Sequence, residues 1–249
     1  EQLLNYMHTE YTTPRIIISA SGAVKHKEFV DLCEEKFSSF NKNKRPNAKK
    51  ALYKGGEKRV LKPHEQVNIV MGFEGVSYSD EDYYTYKILS GILGGGMSSR
   101  LFQKIREERG LVYSIYAFSS SETDTGIFGV YAGTGEKEVK ELMPVLCDEL
   151  VQLPHTLTDE EIIRAKERLK AGLLMRQENI SSHAEMNAID TILYGRVIPK
   201  EEVIKKIEEV SKKDLEVAAQ KLIKKTPTLA ALGPIKEIIS MEQILDKLK

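Results

Sequence analysis

Arg106 and Tyr113 stand seven residues apart, a planar guanidinium with five donors and a phenol that can give one O–H bond. Converging on one side of a loop, such a pair can hold the carbonyls of an extended peptide or the oxyanion of a tetrahedral intermediate. On spacing alone a plainer account outweighs it, because an arginine near a helix C-terminus complements the helix dipole and a tyrosine at a strand start packs on its neighbours. Just upstream lies the triple glycine Gly94-Gly95-Gly96, followed by Met97, Ser98 and Ser99. The glycines leave no Cβ to obstruct a close backbone approach, and both serines suit the cap of a helix beginning near Arg100. Backbone N–H groups in such a loop could cradle a phosphate. However, the loop lacks the Gly-Lys-Ser/Thr ending of a phosphate loop and follows a helical stretch instead of a strand, so no phosphate or ATP affinity is expected of it.

The elements that would position these residues are short and well marked. A helix from Arg100 turns Leu101 and Ile105 inward, with Phe102 one step round, and leaves Lys104, Glu107 and Glu108 to water. Arg106 and Arg109 fall in its last turn, and Gly110 sits where a residue just past a C-terminus belongs. Tyr113 to Phe118 is rich in aromatic and β-branched residues and predicts a strand. A polar turn over 119–124 and a return strand over 126–134 complete a hairpin.

Other chemistries find less support. The five histidines, His8, His26, His64, His155 and His183, include no pair at H-x-x-x-H spacing, and a lone histidine is no zinc site. No G-x-S-x-G elbow occurs, and neither Cys33 nor Cys147 has a histidine beside it in sequence. Both cysteines fall at apolar positions of helical patterns and are expected to be reduced core residues. Lysine and arginine number 37 against 37 acidic residues, so charge recommends neither nucleic acid nor an anionic membrane as partner. No apolar run is long enough to span a bilayer. The chain opens on Glu1 in what reads as the last turns of a helix, so the start of a larger protein is expected to lie upstream.

Along the chain, 15–20 predicts a buried strand after Pro14, and 25–40 a helix with Phe29, Leu32, Cys33 and Phe37 on its apolar face. The polar stretch from Asn41 to Lys50 has the composition of an interdomain linker. The organisation expected is 1–45 as the tail of a first domain, 46–60 as linker and 61–249 as a second domain. In the latter, Val67, Ile69, Met71 and Phe73 alternate onto one strand face, and Tyr78 to Glu81 caps a helix reaching Leu93. Helices are expected over 136–153, 158–177 (opened by a Thr158–Glu161 capping box), 181–194, 200–209 and 211–224, then a strand over 228–233 and a short terminal helix. Hairpin strands followed by long helices predict an α+β fold, a mixed or antiparallel sheet with helices packed on one face.

The segment from Leu89 to Thr134, above all Gly94 to Phe102 and Arg106 to Ser114, resembles the second domain of the pitrilysin/insulinase-type zinc metallopeptidases, in their bacterial and mitochondrial processing-peptidase branch. Tyr11 to Val24 resembles the strand near the end of that family's first domain. The resemblance implies related α+β domains, with zinc held in the first by an inverted H-x-x-E-H motif and a downstream glutamate. No H-x-x-E-H occurs in this sequence. By resemblance, then, Arg106 and Tyr113 match an arginine–tyrosine pair that reaches substrate from a domain facing the zinc, which reverses the plainer account. Gly94, Gly95, Gly96, Ser98 and Ser99 form the supporting loop. The implied function is the C-terminal portion of a zinc endopeptidase that binds and helps enclose an extended peptide or protein substrate. No catalytic residue and no metal ligand is expected in this chain, and zinc is expected in the parent protein only. Implied partners are the missing N-terminal domain and a homo- or heterodimeric mate. A bacterial cytoplasmic setting is preferred over periplasm or mitochondrial matrix. The alternative keeps the fold without the chemistry: a non-catalytic partner or core subunit.

Overall fold

Residues 1–40, 42 and 49–249 are described by the structure, a computed structural model. Most of the linker stretch 41–50 therefore lies outside the described residues. In chain order the elements are α1 (Gln2–Glu10), a 3-10 turn (Thr13–Arg15), α2 (His26–Phe37), β1 (Gly56–Leu61), β2 (Val67–Glu74), α3 (Tyr83–Gly94), a π-helical segment (Phe102–Glu107), β3 (Val112–Ser121) and β4 (Gly126–Thr134). Helices α4 (Val139–Thr156), α5 (Asp159–Glu178), α6 (Ile180–Tyr194), α7 (Lys200–Glu209) and α8 (Lys212–Ile223) follow, then β5 (Thr228–Gly233) and α9 (Met241–Lys247). The chain divides into two compact units: 1–50 with 172–200, and 51–171 with 201–249.

The larger unit is built on a five-stranded sheet of order β1-β5-β2-β4-β3, with β1 and β5 parallel and the other pairs antiparallel. It is the mixed sheet the α+β expectation called for. The alternation read in β2 sets its register: Ile69, Met71 and Phe73 stand opposite Ala132, Val130 and Phe128 of β4, and all six are buried. Helices α3, α4 and α8 cover this face, and Tyr86 of α3 meets Phe128 edge-on at 6.0 Å. The opposite face carries a separate polar and aromatic set. There Tyr116 stacks on Tyr131 at 5.0 Å, and the Tyr131 hydroxyl donates to Asn68 Oδ1 at 2.7 Å. Helix α5 starts as sequence chemistry predicts, with Glu161 and Thr158 completing its capping box, and α8 opens on a second box made by Ser211 and Asp214.

Three expectations need correction. The stretch 15–20 is not a strand; Ile17 and Ile18 are over a third exposed and pair with no strand among the described residues. An extended apolar segment becomes a strand only when another edge satisfies its backbone groups. Conversely, Gly56–Leu61, within the expected linker, is strand β1, held by parallel pairing to β5 although its side chains are mostly exposed. Third, Cys33 is only partly buried because α2 buries none of its residues, whereas Cys147 is fully buried and burial raises its thiol pKa to about 11.

The smaller unit contains no buried apolar side chain among the described residues. Its contacts include polar ones, with Ser21 Oγ 3.1 Å from His183 Nδ1 and the Ile198 amide donating to Asp190 Oδ2 at 3.0 Å, and the ring pair Phe37–Phe40 at 4.9 Å.

Candidate functional site

The glycine loop is held from both ends. Gly94 closes α3 against the backbone of β3, where a Cβ would run into the Ala117 nitrogen, so the first glycine is required by close approach. Beyond it Ser99 Oγ donates back to the Gly96 carbonyl at 2.5 Å and Gln103 Nε2 donates to the Met97 carbonyl at 2.6 Å. The caps expected of the serines are thus not made by their hydroxyls. Ser99 spends its hydroxyl on the loop, and its carbonyl accepts the Gln103 amide at 3.0 Å. Ser98 is exposed and its hydroxyl makes no hydrogen bond among the described residues.

Arg100 anchors the downstream end of the loop. Its Nε and Nη2 donate to the two carboxylate oxygens of Glu161 at 2.6 and 2.7 Å, and Nη1 and Nη2 reach the hydroxyl and carbonyl of Thr156. Sequence reasoning assigned this residue no role beyond opening the helix. Its partners lie more than fifty residues on, and only the Thr158–Glu161 box hinted at a carboxylate fixed in place.

The helix carrying Arg106 differs from expectation in pitch. From Phe102 to Glu107 it is π-helical, and the Glu108 amide reaches back to the Gln103 carbonyl at 2.9 Å. Leu101 and Ile105 are completely buried, as their spacing predicts. The Leu111 amide donates to the Ile105 carbonyl at 3.0 Å, so the wide turn is clamped between a buried face and the incoming strand. Gly110 reverses the chain at φ +65°, the left-handed conformation its C-terminal position implied.

Arg106 emerges exposed, its guanidinium carbon 4.7 Å from the centre of the Phe102 ring. That stacking steadies the fork while leaving its N–H edges open. Neither Arg106 nor Tyr113 has a hydrogen-bond or ion-pair partner among the described residues. Tyr113 is 61% exposed at a bulge between Val112 and Ser114, where the extra residue breaks the alternation of β3. Its hydroxyl lies near Gly135, 3.8 Å from where a Cβ on that residue would stand. The Gly110 turn joins the two residues, and both present free donors to solvent. No hydrogen bond links them. Arg109, by contrast, is occupied by Glu141 at 3.1 Å, and Lys104 by the buried Glu149 at 3.0 Å.

Among the described residues no group of three or more histidine, cysteine, aspartate or glutamate side chains could hold a metal. The residues present therefore do not fit the metal that the resemblance implies for the parent, and no chemical step of this chain is derived through one.

The fold at this point is a five-stranded mixed sheet backed by helices, with Arg106 and Tyr113 exposed on either side of the Gly110 turn. The chain belongs to the peptidase M16 family, whose inactive-domain model, "Peptidase M16 inactive domain", matches residues 1–169. It is similar to an uncharacterized zinc protease of Rickettsia felis, with 34% identity over 94% of this chain and 57% of that protein. It also resembles a probable mitochondrial-processing peptidase subunit beta of Arabidopsis thaliana, with 30% identity over 96% of this chain and 48% of that one. The chain thus spans about half the length of these curated relatives. Its fold matches a chain of the Candida albicans structure titled "Complex III2 from Candida albicans, Inz-5 bound", with TM-score 0.81 and 21% identity over 90% of this chain and 56% of that one.

Proposed function

We propose that this chain is the substrate-holding portion of a zinc endopeptidase: it binds an extended peptide and helps enclose it, while a zinc-bearing portion outside the chain supplies hydrolysis. The observation that carries the reading is the exposure of Arg106 and Tyr113, with every side-chain donor free, on an M16 inactive domain. A guanidinium braced on Phe102 and a phenol on a strand bulge can donate to successive carbonyls of a strand-like peptide, or to an oxyanion formed at a facing metal. The triple-glycine loop and the Gly110 turn serve this by fixing the backbone on either side of the Arg106 helix.

The proposed organisation is a first-domain tail over 1–45, a linker over 46–60 whose last residues already enter strand β1, and the substrate-facing domain over 61–249. Partnership with an N-terminal zinc domain and with a dimeric mate belongs to the same reading, which relatives named as processing-peptidase subunits support. A bacterial setting accords with the relative from Rickettsia felis, and the cytoplasm is proposed as its compartment.

In the full-length protein, Arg106→Ala is expected to lower kcat/KM by about one to three orders of magnitude, as for loss of an oxyanion-type donor. Steady-state kinetics on an extended peptide measure this. Unchanged kinetics would remove Arg106 from the role.

A further inference from the structure

Helix α5 carries Arg164 and Arg168 one turn apart, both exposed. Neither makes an ion pair or hydrogen bond, although most charged side chains around them are engaged: Lys166 and Lys170 with Glu208, and Arg100 with Glu161. The guanidinium of Arg168 lies directly over Gly96, where a Cβ would run into its Nη1. A second requirement thus falls on the glycine loop, which must leave room for an arginine that arrives from a distant helix.

Between α5 and the loop is a cavity of about 30 Å³, lined in part by Gly91, Gly96, Ser98, Glu161, Arg164 and Arg168. That is room for roughly two or three water-sized groups. Its single acid is already neutralised. Burial alone would raise the Glu161 pKa, but the hydrogen bonds from Arg100 and Thr158 prevail and hold it below the usual carboxylate range. The charge left in the lining is therefore that of two arginines, in a chain whose basic and acidic residues otherwise balance. Neutral donors belong to the same loop, of which Gly96, Ser98 and Ser99 line the cavity. The Ser98 hydroxyl is free, and the amides of Gly96, Met97 and Ser98 donate to no backbone carbonyl.

We infer that this cavity is a binding site for a small oxyanion, with Arg164 and Arg168 supplying the charge and Ser98 and the glycine-loop amides the neutral hydrogen bonds. Two guanidinium forks and a few N–H groups are suited to a carboxylate or an inorganic phosphate, and the cavity is too small for a nucleotide. The loop by itself offered no reason to expect phosphate affinity. The cations it lacks come from residues some seventy positions downstream, at a spacing that only the fold brings to the glycines. The site does not depend on the peptide-holding role of Arg106, and its failure would leave that reading intact.

The test titrates the 249-residue chain with inorganic phosphate and, separately, with N-acetylglycine as a carboxylate, at constant ionic strength, following the amide resonances of Gly96 and Ser98. Saturable shifts are expected with at least one of the two. Arg168→Gln should weaken binding roughly tenfold or more, as should Arg164→Gln, while Arg109→Gln controls for general loss of positive charge. Gly96→Ala, whose methyl group displaces the Arg168 guanidinium, should weaken it as well. Saturation by phosphate alone assigns the site to a free anion, and saturation by N-acetylglycine extends it to peptide carboxylates; both support the site. Shifts that stay linear with both ligands, or that persist unweakened in the Arg164→Gln/Arg168→Gln double variant, would overturn it.

Discussion

At the scale of single residues, Arg100 and Glu161 show how much of the loop's rigidity rests on one bidentate pair. Their side chains are only 10% and 16% exposed, so little solvent screens them. Arg100→Ala leaves the Glu161 carboxylate without its counter-charge, held only by Thr158, and is expected to cost about 2–4 kcal/mol, measured as a drop in urea midpoint. The pair also sets a pH response. Because the folded-state pKa of Glu161 lies below its ordinary value of 4.5, its contribution is fully present above that value and is lost as pH falls through the folded pKa. Acid titration of stability should therefore be shallower below pH 4.5 in Arg100→Gln than in the wild type, and identical slopes would contradict the assignment. Sequence exposed only half of this arrangement. The Thr158–Glu161 box is local and legible, whereas the Arg100 contact joins residues 61 positions apart and became visible only when the fold closed.

At the scale of elements, the segments that obeyed local periodicity were the legible ones. Val67 to Phe73 alternates because one face packs on α3, α4 and α8, and the helix after Gly94 buries Leu101 and Ile105 at their i, i+4 spacing. What stayed hidden depended on distant partners. The π pitch between Phe102 and Glu107 is imposed by the clamp of Leu111 on Ile105, and no side-chain pattern encodes it. The expected strand at 15–20 lacked an edge, while the charged Gly56–Leu61 found one in β5, about 170 residues later. The glycines rank differently by the same reasoning. Gly110 needs only a positive φ and faces open space, so Gly110→Ala should cost about 1–2 kcal/mol. Gly94 abuts the β3 backbone itself, which cannot step aside cheaply, and Gly94→Ala should cost more, about 3 kcal/mol. Chemical denaturation of the two variants gives the order, and a larger loss at Gly110 would refute it.

The whole molecule divides its stability unevenly. Every buried apolar side chain among the described residues belongs to the unit made of 51–171 and 201–249. The other unit leaves Leu3, Tyr6, Leu32, Ile180 and Ile192 each more than half exposed. Helices without a buried apolar face are marginal in water. Amides of α2 and α6 are therefore expected to exchange with solvent orders of magnitude faster than those of β2 and β4, as read by hydrogen exchange. Equal protection in the two units would show that the smaller one is stable by itself. This imbalance accords with the proposed N-terminal partner, whose apolar surface would cover those side chains, and with relatives about twice the length of this chain.

Strand β1 has an effect that reaches beyond one copy of the chain. It terminates the sheet with Glu57, Lys58 and Arg59 in succession, on an edge whose backbone groups would otherwise template another strand. At the far edge, the bulge at Val112 and Ser114 interrupts the ladder of β3 in the same protective sense. The charges that hid β1 from a hydropathy reading are thus a guard against self-assembly, closing the sheet at five strands and discouraging neighbouring molecules from extending it into a fibre.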